Sequence, residues 1–501
     1  MEHKAWPLLL AAPPYLQGAA GSLIAATVTI LLGCVLWYFV ARRSWASKYG
    51  LHRMPPGNFS LPFLGETREY ILLQKANKGP EFFRSRAAKY GEVFSTSLFG
   101  FLTVSLPAPS GNKFLFSTEN TQVINQWPEC LKPLLGEESV AWQTGEEHKH
   151  TRSVLMTFLD PEALQRFVGR VSAVVQKHLD NNWEGKKQIV VFPLMKRLTF
   201  SIACSLFLSV ENEDEISNLL THFCSYAAGM LQVPIDFPGT KYRKAKFSRR
   251  LICEQLDELT EKRRKELDLG TTSENQDLLA TLLTTRDGKG RIFSNSAIQD
   301  NVIALLFAGH DTTSSTISLT LKFLAENKTC LHQVLQEQLQ IKSEKSNNDN
   351  LNWEDLKKMK YTWKVVQETL RLQPPVQGGF RKALVDIEIS GYKVPKGTPF
   401  YWTVHRSHKD AKLFPNPEKF DPSRFEGTGP PPYTFVPFGG GPRICPGNDF
   451  AKMEALTFLH HVVTRFQWSL MDPDEPVTID PLAHPLRGLP IILQNRTPEE
   501  D

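Results

Sequence analysis

Paired cysteines, long runs of one charge, sequence repeats and a nucleotide-binding module are all missing from this chain, and each absence removes a class of function. The seven cysteines are scattered over 501 residues, odd in number and without a CxxC spacing, so neither a disulfide framework nor a zinc knuckle is expected. Lysine and arginine total 58 against 53 acidic residues. A net +5 over this length is far from the dense basic field that nucleic acid requires, and nucleic acid is excluded as a partner. No flavin- or NADPH-binding module is visible, so any electrons the protein uses come from a separate protein. The bulk of the chain is expected to be reduced, cytosol-facing and long enough to bury a cofactor.

Charge is also missing from residues 5–41. Residues 19–41 form an apolar run that includes Leu31, Leu32, Val35, Leu36 and Phe39. As a helix this run is about 35 Å long at roughly 1.5 Å per residue, enough to span a hydrocarbon core of roughly 30 Å. Arg42, Arg43, Lys48 and Arg53 follow it, and the positive-inside bias places the rest of the chain in the cytosol. A signal peptide has a shorter apolar core. Residues 1–53 are therefore expected to be a single-pass anchor in membrane lipid, with the endoplasmic reticulum as its membrane. Residues 54–501 are expected to be one catalytic domain, opening on the stiff hinge Met54-Pro55-Pro56-Gly57.

Apolar residues recur at three- and four-residue steps through most of residues 76–380, which predicts helices. Strand-like segments occur at 92–98 and 385–393, the second closing on Val394-Pro395-Lys396-Gly397. Beyond residue 400 the chain is rich in Pro, Gly and Phe, and one more helix is expected to begin near Asn448. The fold class is mostly α with a minor β portion.

The sharpest signal is Phe438-Gly439-Gly440-Gly441-Pro442-Arg443-Ile444-Cys445-Pro446-Gly447, running into that last helix. A glycine-rich loop at a helix N-terminus lets backbone N–H groups approach a sulfur and stabilise its negative charge. Such a sulfur suits iron, which deprotonates a coordinating thiol. Arg443 can bind a haem propionate, and Phe438 can pack beneath the ring. The pattern Phe-x-x-Gly-x-Arg-x-Cys-x-Gly, with its fixed positions Phe438, Gly441, Arg443, Cys445 and Gly447, resembles the haem-binding signature of the cytochrome P450 enzymes. That resemblance covers residues from about 55 to 494. It implies the cytochrome P450 fold after the transmembrane helix, and haem b, an iron protoporphyrin IX with Cys445 as its axial thiolate.

Further motifs agree with it. Ser296-x-x-Gln299 is a candidate capping box for an apolar helix ending near Glu326. The polar group Gly309-His310-Asp311-Thr312 in the middle of this helix resembles the family's oxygen-activation motif, which implies that Thr312 organises protons at the reacting oxygen and Asp311 relays them. Gly309 gives a ligand room to approach the helix, and His310 reads as a satisfied helix residue. Glu368 and Arg371 share a helix face. Their position before the cysteine loop, with Arg424 in between, resembles the family's buried Glu–Arg–Arg network, which serves folding. Arg152 and Arg381 fall where the family places propionate-binding cations. His148 stands where many members have tryptophan.

Pro234-Ile235-Asp236-Phe237-Pro238-Gly239, Gly379-Phe380-Arg381-Lys382-Ala383 and the Gly-Pro-Arg-Ile-Cys-Pro-Gly loop resemble a plant branch that oxidises triterpenes, taxanes and steroid hormones. The resemblance implies a monooxygenase using O₂, a hydrophobic small molecule and electrons from NADPH-cytochrome P450 reductase. A triterpenoid is the first choice of substrate, with a taxane-type diterpenoid or a sterol second. A haem-thiolate isomerase or dehydratase needs no Asp311–Thr312 proton relay, and a non-catalytic, membrane-tethered lipid carrier needs neither that pair nor Cys445.

Overall fold

The computed structural model describes residues 53–58 and 66–496, apart from 231, 233, 274–275, 287–289, 291 and 346–349, together with scattered positions between 25 and 40. The expected membrane span, 19–41, lies largely outside the described residues. Those described there are helical, with exposed side chains such as Leu32 and Leu36. Among the described residues, one helix is apolar and long enough to cross a bilayer, Val191–Leu208, and most of it is buried in the protein core.

One sheet and seven helices frame the site. The sheet strands are β1 (Phe94–Leu98), β2 (Phe101–Ser105), β3 (Val123–Gln126), β4 (Gly378–Ala383) and β5 (Pro399–Thr403), in the spatial order β1-β2-β5-β4-β3. Phe99 and Gly100 both have positive φ, the conformation a two-residue hairpin needs between β1 and β2. The β3–β4 register sets Asn125 opposite Arg381. The strand expected over 385–393 is two short strands, Ile387–Ile389 and Tyr392–Val394, reversed at Ser390 and Gly391. Positive φ at both residues turns the chain where the alternating pattern alone reads as continuous.

The helices are α1 (Gly145–Leu159), α2 (Val191–Leu208), α3 (Glu213–Met230), α4 (Lys241–Asp268), α5 (Asn295–Glu326), α6 (Lys360–Leu372) and α7 (Asn448–Arg465). α5 is the central rod, about 48 Å long at roughly 1.5 Å per residue. Its cap is Ser294, whose hydroxyl accepts from the Ala297 N–H at 3.0 Å, not the expected Ser296 box. Gln299 instead reaches across to Asp257 and the Cys253 carbonyl on α4. A side chain two residues inside the helix start cannot reach the orphan amides, and Ser294 can. α2 lies along α5, with the Thr199 hydroxyl donating to the His310 carbonyl at 2.9 Å. The largest core cluster gathers apolar residues from α1 to α7 around α5.

Candidate active site

The cysteine loop is wrapped around Phe116. Gly441 has φ +65, and a Cβ there would stand 2.0 Å from the Phe116 carbonyl oxygen, so conformation and space both demand glycine. The Cys445 N–H donates to the Phe438 carbonyl at 2.9 Å and closes the loop. Phe438 itself packs against the main core. The Gly447 N–H faces the Cys445 sulfur, and α7 starts at the next residue, which places the sulfur at the positive end of a helix. Burial pushes the Cys445 thiol up, while the Gly447 amide and Arg152 oppose it.

Three guanidiniums crowd the same region: Arg443 from the loop, Arg381 from β4 and Arg152 from α1. Arg381 and Arg443 straddle the buried Glu119, at 2.8 and 3.3 Å. Arg381 also donates to Asn125 at 3.0 Å, and Arg443 to the carbonyls of Val140 and Gln143 at 3.2 and 2.5 Å. Burial lowers all three arginines, Arg443 to about 10. His148, one turn before Arg152, is buried with no hydrogen-bond partner for its Nδ1, and burial with the nearby Arg443 and Arg152 lowers it to about 4. It is neutral at physiological pH. Two of these cations share one carboxylate and Arg152 lies beside them near the Cys445 sulfur, so the cluster carries two positive charges in excess, an arrangement that favours further anions.

The middle of α5 faces this loop. Phe450, in the first turn of α7, lies 3.9 Å from where a Gly309 Cβ would stand, and outside α5 nothing else approaches that position within 4 Å. Ala308 is exposed and Gly309 and Thr312 partly so, although the flanking helix is buried. This accessible strip interrupts an otherwise buried helix. The Thr312 hydroxyl donates to the Ala308 carbonyl at 2.6 Å, which leaves its lone pairs free to accept. Asp311 points elsewhere, pairing with Lys196 of α2 at 2.8 Å. His310 is not the satisfied residue expected from sequence. It is fully buried, neither ring nitrogen has a hydrogen bond, and Phe200 packs edge-on at 5.4 Å. Burial lowers it to about 4, so it is neutral too.

Glu368, Arg371 and Arg424 are brought together. Arg371 forms a two-pronged pair with Glu368 at 2.7 and 2.8 Å, Arg424 adds a third contact at 3.3 Å, and both Glu368 and Arg371 are wholly buried. Arg371 also donates to the His408 carbonyl, and the His408 ring accepts from the Val436 N–H at 2.9 Å. The network thus reaches the strand of chain that leads into Phe438. Removing one partner would strand a buried charge, at a cost of about 3–5 kcal/mol.

Residues 55–492 match the family model described as Cytochrome P450. The chain belongs to the cytochrome P450 family. This cytochrome P450 is 42% identical over 465 residues to a β-amyrin 28-monooxygenase of Kalopanax septemlobus, covering 93% of the chain and 96% of that relative. It is 43% identical to a β-amyrin 28-monooxygenase of Medicago truncatula, over 88% of the chain and 92% of the relative. A taxane 13-alpha-hydroxylase of Taxus cuspidata is 40% identical, over 95% and 98%. Among solved structures, a retinoic acid-bound cyanobacterial CYP120A1 superposes with TM-score 0.80 at 33% identity, over 88% of this chain and 99% of that one. This cytochrome P450 is a monooxygenase, and it carries haem through a cysteine thiolate.

The residues present fit that group. The two excess positive charges of the arginine cluster match two propionates, the unpartnered His148 Nδ1 is free for one more polar contact, and residues 308–312 expose an accessible strip on α5. Sequence reading missed Glu119, Lys196 and Glu454. Nothing local marks Glu119, because its role depends on strands distant in sequence. Lys196 had a signal, a cation inside the apolar run of α2. Glu454 is fully buried on α7 beside Thr313, and burial pushes its carboxyl well above the usual carboxylate range.

Proposed function

We propose that this cytochrome P450 oxidises a pentacyclic or tetracyclic triterpenoid, with electrons from NADPH-cytochrome P450 reductase. The observation that carries the substrate class is the 42% identity, over 93% of the chain, to an enzyme named for β-amyrin. The end of α3 supports it: residues 226–230 carry no charge, and Leu305 and Leu306 of α5 are buried and apolar, so a large hydrophobic molecule would bind by shape with few polar contacts. The taxane hydroxylase relative makes a taxane-type diterpenoid the second reading.

Haem, when bound, supplies the reduction of O₂ and the insertion of one oxygen atom into a C–H bond. Cys445 would hold the haem iron, with the Gly447 amide tuning the sulfur. Arg443, Arg381 and Arg152 would neutralise the propionates, and neutral His148 would add a hydrogen bond. Glycines 441 and 447 keep side chains away from the loop, and Phe438 would pack against the ring. The Thr312 hydroxyl would turn from the Ala308 carbonyl to hold the proton used at the reacting oxygen, and Asp311 would swing from Lys196 to replenish it.

Co-expression with a reductase and feeding of β-amyrin, a taxadiene-type diterpene, a sterol and a fatty acid tests the reading by product analysis. An oxidised β-amyrin that requires the reductase is expected. Oxidation of the fatty acid alone would overturn the substrate class.

The anchor, with the domain boundary at 53/54, belongs to the same proposal. The uncharged run 19–41 followed by arginines supports a single-pass, cytosol-facing protein of the endoplasmic reticulum. Deleting residues 1–41 is expected to leave the haem spectrum unchanged and to shift the protein from the membrane fraction. A truncated protein that stays in the membrane fraction, or one that loses haem, would count against the separate anchor.

A further inference from the structure

Two indole N–H groups reach acceptors across the fold: Trp127 donates to the Ala141 carbonyl at 3.0 Å and Trp468 to the Leu321 carbonyl at 3.1 Å. Among the described residues, the buried indole nitrogens of Trp183 and Trp402 have no partner. A buried donor without an acceptor has lost its hydration for nothing in return, so each demands an explanation. Trp183 lies in the main core between the rings of Phe458 and Phe466, with centroids 5.8 Å from each, and is buried for its apolar area. Trp402 is placed differently.

On β5, Trp402 stands directly opposite Gly379 of β4, so its side chain shares a face of the sheet with Arg381, two residues beyond that glycine. On this face Phe116, around which the cysteine loop is wrapped, meets the indole edge-on at 5.4 Å. A Cβ on Gly439 of the loop would stand in ordinary contact with the indole, 3.8 Å from its Cζ2. One on Gly379 would stand 2.9 Å from the indole nitrogen. The Gly379 backbone is outside the left-handed region, so space alone demands glycine there. Strand β4 thus gives up a side chain to seat an N–H on the side of the sheet that carries Arg381. Guanidiniums hold no acceptor for it. Arg381 and Arg443 already share Glu119, and the group that would satisfy both the excess cations and this donor is a further carboxylate.

We propose that the Trp402 indole N–H is a donor to a haem propionate, a haem contact supplied by the sheet in addition to the arginines. The inference rests on the haem that the family carries and is independent of the substrate reading. The full-length, haem-loaded protein is compared with Trp402→Phe, with the same protein carrying benzothienylalanine at 402, where sulfur replaces only the N–H, and with Trp183→Phe. Haem transfer to excess apomyoglobin is expected to quicken about tenfold in both proteins altered at 402, the effect of losing one charge-assisted hydrogen bond. The ferric/ferrous midpoint potential is expected to fall in both, because a carboxylate relieved of its donor presents more negative charge to the iron and favours the ferric state. Trp183→Phe is expected to leave the potential where it was. Haem transfer as slow as in the unaltered protein when the N–H alone is replaced would overturn the assignment, and faster loss in Trp402→Phe alone would mean that the ring acts by packing. An equal fall of the potential in Trp183→Phe would overturn it too. The benzothienylalanine protein keeps the shape of the side chain and decides the question if Trp402→Phe fails to fold.

Discussion

Replacing Cys445 by serine removes the thiolate-specific absorption of the reduced carbon monoxide complex and abolishes product formation. The loss of activity is expected to exceed about 10²-fold, since even outer partners of a metal ligand cost about 10–100-fold. The other described cysteines offer no substitute. Cys204 is buried in the core of α2, where burial pushes its thiol far up, and Cys224 lies on α3 in the vicinity of Lys196 and Asp311. Only Cys445 lies in a glycine loop, faces an amide donor and opens a helix among those described. Difference spectra of the purified variant decide the matter, and a retained thiolate band would mean that the loop has been misassigned.

Replacing Thr312 by alanine separates haem binding from chemistry. The Thr312 hydroxyl bonds only to its own helix, at the Ala308 carbonyl, so its removal disturbs no packing contact between elements. Haem content and ligand-induced spectral shifts are therefore expected to persist. Product formation should fall by about 10²–10⁴-fold, the usual contribution of positioned proton transfer. The electrons consumed should appear as hydrogen peroxide, which is measured against product and NADPH in the reductase-coupled assay. Thr312→Ser keeps the hydroxyl and should recover most of the coupling. Equal coupling in the alanine variant and the unaltered protein would remove Thr312 from the proton path.

The parts of the site carried by short stretches of chain were legible in sequence. The cysteine loop is one continuous segment, and its glycines state the conformation they serve. Glu368 and Arg371 lie one helical turn apart, so spacing alone puts them on one face. The start of α7 at Asn448 follows from the same loop. Where the reading went astray, competing local patterns were close in energy. Ser296-x-x-Gln299 and Ser294 both offer a cap for α5, and only the observed hydrogen bond of Ser294 to Ala297 separates them. Residues 385–393 alternate as one strand would, and positive φ at Ser390 and Gly391 breaks them into two.

By itself, the sequence determined the local pieces: the glycine-framed Cys445, the helix polarity behind it and the polar pair in the middle of α5 are written in consecutive residues, where covalent connection does the positioning. The tertiary structure alone decided the partners. Glu119 sits between Arg381 and Arg443, Lys196 pairs with Asp311, and Asp300 gathers Arg249 and the Glu138 amide. Each of these pairings, Lys196 with Asp311 among them, joins elements far apart in the chain, and its worth depends on how much water the packing excludes. That quantity is a property of the folded surroundings, and no spacing in the sequence records it.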